Sequence, residues 1–475
     1  MAQVQGRITE RPSRFDRESN RAFPRPFITL PFMLAPLVAT ATLFIFISLQ
    51  CPVWATDVKS QALSTGDDAA ASSFVVPLKK QRVPIVVNGC TLGDKTAYFG
   101  NIYVGAPKAQ VFTAVFDTGS AHVFVPSNEC ADEACKVHNR YARSRSTTYV
   151  DINHDGVAAD VAPDERDRVA IAYGTGEIVG DFVREQVCLG QPAAPRPNAS
   201  LHCTRVRLIL ATEMTQEPFA HFAFDGVMGL GLEALALEAE YHVFGQMARE
   251  KMIEPLFGFF LSANDDVDSE ITVGRVDHRR FEGDLRWVPV VEPERGYWRV
   301  AIRRIRIGDG VLDLCEDGSC SAIVDTGTSA LGVPAEAGQE FLYKTSRGLP
   351  APAAAASAAD TEADCREVPG PVVTFELEDD FAIVMNAKDY YRGAPMDLEP
   401  EDEVPVQDQN VTVGGAAPAR VCRASVVPVA MPTLGEKVFI WGEPVLMKYY
   451  SSYDWKREQV GFAITRQPDA RNLII

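Results

Sequence analysis

The chain has 475 residues, 46% hydrophobic and 23% charged, with a formal net charge of −18. That length permits a large core and more than one folded unit. The excess of acid argues against a nucleic-acid partner and suits a soluble protein outside the cytosol.

Residues 1–26 carry Arg7, Arg11, Arg14, Arg17, Arg21 and Arg25, and the following stretch, 27–50, has no charged residue. About 20 apolar residues suffice to span a bilayer. The positive-inside rule then predicts a cytosolic segment at 1–26, a transmembrane signal anchor at 27–50 and a luminal or extracellular remainder. Cleavage after Ala55, where Val53 and Ala55 are small, is the other outcome and would give a secreted or endolysosomal protein. The length of both the basic and the apolar stretch favours the anchor.

An oxidising lumen suits the ten cysteines. Cys51 borders the apolar stretch and Cys90 stands alone. The other eight fall into plausible pairs: Cys130 with Cys135, Cys188 with Cys203, Cys315 with Cys320, and Cys365 with Cys422. Spacing alone does not fix that connectivity. With no CxxC pair or histidine cluster, neither a metal nor a cofactor is expected. Asn198 and Asn410 head glycosylation sequons.

Further along, "AVFDTGSAHVFVP" (114–126) places Asp117 between apolar runs that read as strand. The pattern returns in "AIVDTGTSALGVP" (322–334), with Asp325 208 positions later. Each copy has an apolar-apolar-Gly signature downstream, ending at Gly229 and Gly442. This points to two lobes of similar design. In each turn the glycine, Gly119 or Gly327, gives backbone freedom and lets a ligand approach closely. The hydroxyl of Thr118 or Thr326 can bond across to the opposite turn, and Ser120 or Thr328 can bond its own carboxylate. Two such turns face to face would hold two carboxylates that share one proton. One can then act as base on water and the other as acid on a carbonyl oxygen.

Between the copies, "DINHDG" (151–156) has the first half of a calcium loop but lacks the closing acid, so a polar turn is the expectation. The stretch "AYGTGEIVGDF" (172–182) suits a hairpin with Tyr173, Gly174 and Thr175 at its tip. The Ala/Pro-rich stretch near 350–365 and the acidic stretch near 394–410 suit surface loops.

Taken together, "YFGNIYVGAPKAQVFTAVFDTGS", "AYGTGEIVGDF", "FDGVMGLG", "SAIVDTGTS" and "YYSSYDWKREQVGFA" resemble the pepsin-like aspartic proteases, over about Tyr98 to Thr465. The resemblance implies a mainly β, bilobal acid-protease fold with a cleft between two lobes of six-stranded character and a flap over it. It implies Asp117 and Asp325 as the catalytic pair, Tyr173 as the flap tyrosine, a protein or peptide substrate and sensitivity to pepstatin-type inhibitors. Three of the cysteine pairs coincide with the family's usual disulfides; Cys188–Cys203 would be an extra staple. The expected product is an aspartic endopeptidase, a monomer, with lobes at 97–290 and 291–475. Residues 51–96 are expected to form a luminal stem. Within it "SFVVPLKKQRVPI" (73–85) resembles the first strand of a prosegment, without the helical plug that follows in the family's zymogens. Lys79, Lys80 and Arg82 are read as a processing site or a basic strand edge. Two departures stand out: Phe124 where many relatives have Trp, and Glu443 where Asp is common. The alternative from another class is a catalytically silent binding protein of the same fold, which would be expected to have lost part of this constellation.

Overall fold

A computed structural model describes residues 7–9, 72–87, 90–160, 166–174, 176–190, 201–349, 364–398 and 419–467. The apolar stretch 27–50, Cys51, Thr175, Asn198 and Asn410 lie outside the described residues. Among the described residues no helix is long and apolar enough to cross a membrane.

The expected mainly β architecture is borne out. One long mixed sheet begins at Arg7–Thr9 beside the hairpin strand Arg168–Tyr173 and continues through Gly176–Leu189, His202–Met214, Val123–Pro126, Gly226–Gly229 and Gln110–Asp117. It then passes through Cys90–Val104, Phe74–Val87, Ser269–Val273 and Leu256–Phe260, and ends on the C-terminal strands Tyr449–Asp454 and Gln459–Thr465 with Phe281–Pro289. The second half of the chain adds a five-stranded sheet centred on Ser321–Val324 and Val438–Trp441, and a four-stranded sheet around Arg304–Ile307 and Val373–Glu376. Alternation explains the strands locally. Along Arg168–Tyr173, Val169, Ile171 and Tyr173 point inward while the residues between them are half-exposed.

The duplication seen in the sequence is a duplication of topology. Gly226–Gly229 pairs parallel with Ala114–Asp117 and antiparallel with Val123–Phe124. In the same way Val438–Trp441 pairs parallel with Ser321–Val324 and antiparallel with Leu331–Gly332. Each apolar-apolar-Gly strand thus runs between the two arms of one Asp-Thr-Gly loop. Behind the loops an aromatic cluster joins the halves. Trp298 meets Phe257 and Tyr453 edge-on, and its indole nitrogen donates to the Leu230 carbonyl at 2.8 Å.

Two segments differ from expectation. Phe74–Val87 is an interior member of the long sheet, laddered to Ser269–Val273 on one side and Cys90–Val104 on the other. Val76 and Leu78 are core residues at 1% exposure, each worth roughly 1.5–3 kcal/mol of burial. Lys80 and Arg82 both pair with Asp265, at 2.9 and 2.6 Å. The basic residues are therefore a strand edge, and a cut at Tyr98 would remove part of the core. Secondly, Arg7–Thr9 pairs antiparallel with Arg168–Ala170. A bilayer cannot run between two paired strands, so this pairing disagrees with a cytosolic 1–26 and a membrane-spanning 27–50.

All four cysteine pairs are disulfide-bonded. Cys188 and Cys203 face each other directly in the ladder between their strands. The "DINHDG" segment is a salt-bridged turn: Asp151 pairs with Arg166 at 2.5 Å and His154 with Asp167 at 2.7 Å.

Candidate active site

Asp117 ends the strand Gln110–Asp117, and Asp325 follows the strand Ser321–Val324. Both carboxylates are buried, at 5% and 1% exposure. Asp117 accepts the Gly119 N–H at 2.9 Å and the Ser120 hydroxyl at 2.6 Å. Asp325 accepts the Gly327 N–H at 2.8 Å and the Thr328 hydroxyl at 2.6 Å. The turns are locked to each other by their threonines. Thr118 donates its N–H to the Thr326 hydroxyl, and Thr326 returns the same bond to Thr118, each at 3.0 Å. Their hydroxyls donate onward across the pseudo-symmetric axis to Val324 and Phe116 carbonyls, at 2.8 and 2.6 Å.

This grip brings the acids together. A methyl group on Gly119 would lie 2.8 Å from Asp325 Oδ1, and one on Gly327 would lie 2.3 Å from Asp117 Oδ1. Only glycine lets each turn touch the opposite carboxylate. Burial, and then the negative charge of Asp325, push the Asp117 carboxyl well above the usual aspartate range; the Ser120 and Gly119 bonds act against this.

A cavity of about 1000 Å³ opens at Asp117 and along the second turn, lined by Asp117, Tyr173, Phe219, Phe222, Phe224 and by Thr326 to Ala330. Two buried carboxylates in matched turns, one of them lining the cavity, are groups that can act as acid and base on water.

Comparison with known proteins agrees. The profile of the eukaryotic aspartyl protease family matches residues 97–465. The chain belongs to that family. It is 31% identical to cathepsin E of Aquarana catesbeiana over 77% of this chain and 79% of the relative. It is 36% identical to cathepsin E of Rattus norvegicus, over 50% of this chain and 54% of the relative, so that alignment spans about half of the rat protein. Cathepsin D of Clupea harengus is 29% identical over 77% of this chain and 80% of its own length.

Within the aspartyl protease fold, Arg168–Tyr173 and Gly176–Leu189 form a hairpin at the cavity, with Gly174 in the left-handed region at φ 58°. Tyr173 leans on Phe124, ring centres 5.2 Å apart, and meets Phe219 edge-on at 6.4 Å. Its hydroxyl is buried and has no hydrogen-bond partner among the described residues. The phenyl ring of Phe124 beside it has no donor or acceptor to offer.

Glu443 lines the cavity and accepts the Tyr98 hydroxyl at 2.7 Å. Burial pushes its carboxyl up, with the Tyr98 bond opposing. Sequence reasoning missed Arg82, Ile85, Asp94 and Lys95 as cleft residues. They lie on the hairpin of Phe74–Val87 and Cys90–Val104. The strand signal was present in "VVPLKKQRVPIVV"; what was missing was its partner across the turn.

Proposed function

We propose that this chain is an aspartic endopeptidase that hydrolyses peptide bonds in proteins with a water activated by Asp117 and Asp325. The observation that carries the reading is the pair of buried carboxylates, each held by its own turn and each against the glycine of the other. The elevated affinity of Asp117 for a proton supports a dyad that keeps one proton where a lone aspartate would have lost it.

The steps follow from that protonation. The carboxylate takes a proton from water as the water oxygen bonds to the scissile carbonyl carbon. The carboxylic acid gives its proton to the carbonyl oxygen, forming a tetrahedral diol. On collapse the C–N bond breaks, the nitrogen receives a proton from one carboxyl, and the other reclaims a diol proton. Atoms balance with water as the only co-reactant.

An extended substrate with alternating side chains fits a cleft of this kind. Phe219, Phe222, Phe224 and Val227 favour apolar side chains near the scissile bond. Tyr173 Oη, buried without a partner among the described residues, would reach the substrate backbone once its hairpin moves. Four disulfides support an oxidising compartment, secretory or endolysosomal. Cleavage after Ala55 would release a secreted or endolysosomal chain, and N-terminal sequencing of the mature protein tests this.

The test is cleavage of a denatured protein from about pH 3 to about pH 8, with and without pepstatin, beside Asp117→Asn. Pepstatin-sensitive cleavage that the variant lacks is expected. A folded protein that is inert across the range would favour the silent binding protein.

A further inference from the structure

Two histidines are buried behind the Asp117 turn, and neither lines the cleft. His242 caps the short helix Val243–Arg249. Its Nδ1 accepts the Gly245 N–H at 2.9 Å, so the ring proton sits on Nε2 and is donated to the Gly231 carbonyl at 2.6 Å. The Gly231 N–H in turn donates to the Ser120 carbonyl at 2.7 Å, and the Ser120 hydroxyl donates to Asp117. Three consecutive hydrogen bonds therefore connect an imidazole to the carboxylate.

His122 lies two residues beyond Ser120. Its carbonyl accepts the Gly229 N–H at 2.9 Å, and its Nε2 accepts the Leu237 N–H at 3.0 Å. Its Nδ1 is buried with no partner among the described residues. Both rings thus accept a backbone N–H at one nitrogen, which only a neutral imidazole can do. A second proton would set N–H against N–H inside the core and leave a buried charge.

The surroundings offer little compensation for such a charge. Facing His242 are Glu233 and Arg249, which already pair with each other, and the ring of Trp455 at 6.4 Å. The turn that carries Trp455 has its own pair, Asp454 with Arg457 at 2.8 Å. Facing His122 are the ring of Tyr241 at 5.6 Å, itself covered by Arg207, and His242. Arg207 is paired with Glu238.

We infer that His242 and His122 are positioning residues for Asp117: neutral, they hold its turn in place, and their protonation releases it. This rests on the dyad reading above. Burial is the main cause that lowers both rings to about 4. A group with a depressed folded value, when it is the neutral form that is buried, stabilises the fold above its unfolded value of about 6.5. That stabilisation is lost as pH falls from about 6.5 toward about 4. The dyad needs a proton while its support must stay unprotonated. The working range is accordingly closed on its acid side by histidine, which sets this chain toward mildly acidic conditions.

The test uses His242→Asn and His122→Gln, each of which retains a hydrogen-bond acceptor. The pH profile of kcat/KM is scaled to each variant's own maximum, and the double variant is expected to move the acid edge down by about one pH unit. An unmoved edge in folded variants overturns the inference. Should the variants not fold, the wild-type chain is titrated by NMR. Both imidazoles should then titrate below about pH 5, with amide exchange at Ser120 and Gly231 rising over the same interval. Imidazoles that titrate near 6.5, or exchange that ignores their titration, overturn it. Exchange is read without substrate, so an inert protein would count against the hydrolase reading alone.

Discussion

Asp117 and Asp325 accept the same two bonds, from a glycine N–H and from a hydroxyl three residues on. Their surroundings are nevertheless unlike. Asp117 through Val123 are buried without a break, so the first turn runs into the interior. In the second turn Gly327 is exposed, Thr328 is half-buried, and Ser329 and Ala330 line the cleft. The first turn is held from behind by the His242 chain. The second is held through the Thr328 carbonyl, which accepts the Glu443 N–H at 2.9 Å. One motif thus makes an embedded support on one side and a wall of the binding cleft on the other. The lesson is that the local hydrogen bonds are a property of the motif, while the proton affinity belongs to what surrounds it.

The largest effect expected from breaking this comparison is on catalysis. Asp117→Asn and Asp325→Asn should each lower kcat/KM by about 10³-fold, because neither acid can substitute for the other. Asp117→Asn and wild type should also separate in stability. The raised Asp117 carboxyl stabilises the fold fully below its unfolded value of about 4 and loses that contribution as pH climbs through its folded value. Asp117→Asn does not undergo that loss, so its unfolding midpoint should gain on wild type as pH rises. A constant difference between the two across pH would contradict the assignment.

Next in size is the grip. Thr118→Val and Thr326→Val each strip a buried hydroxyl from two bonds, leaving a carbonyl and an N–H unpaired. A loss of about 1–3 kcal/mol is expected for each in urea unfolding. The double variant should lose less than the sum, since both serve one network. Full additivity would mean that the turns are held separately.

The smallest effect sharpens the contrast most. Ser120→Ala removes a buried donor that favours the ionised Asp117, so the alkaline edge of the pH profile should move up and kcat/KM should fall by about 10-fold. At Thr328→Ala, water from the cleft can replace the hydroxyl, and the loss should stay within about 3-fold. Equal losses at the two positions would show that burial does not distinguish the turns.

Much of the site was legible in the chain. Asp-Thr-Gly with a following hydroxyl is a local arrangement, because the glycine N–H and hydroxyl that hold each carboxylate lie within three residues of it. Repetition of that pattern, with Gly229 and Gly442 downstream, announced the two-lobed topology. The hairpin at 168–189 was legible for the same reason: strand alternation and turn glycines act over a few residues.

Other features depended on contacts between residues far apart in sequence. Phe74–Val87 has the apolar run of a sheet strand, but its place in the core depends on Ser269–Val273, nearly two hundred residues away. Tyr98 and Glu443 are 345 positions apart and become neighbours only in the folded chain. The elevated carboxyl of Asp117 and the neutral rings of His122 and His242 come from burial, which no single stretch encodes. By itself the sequence determined which groups could do the chemistry, since their bonds close over short loops. Only the tertiary structure decided how strongly each group holds a proton, because desolvation is set by everything packed around it.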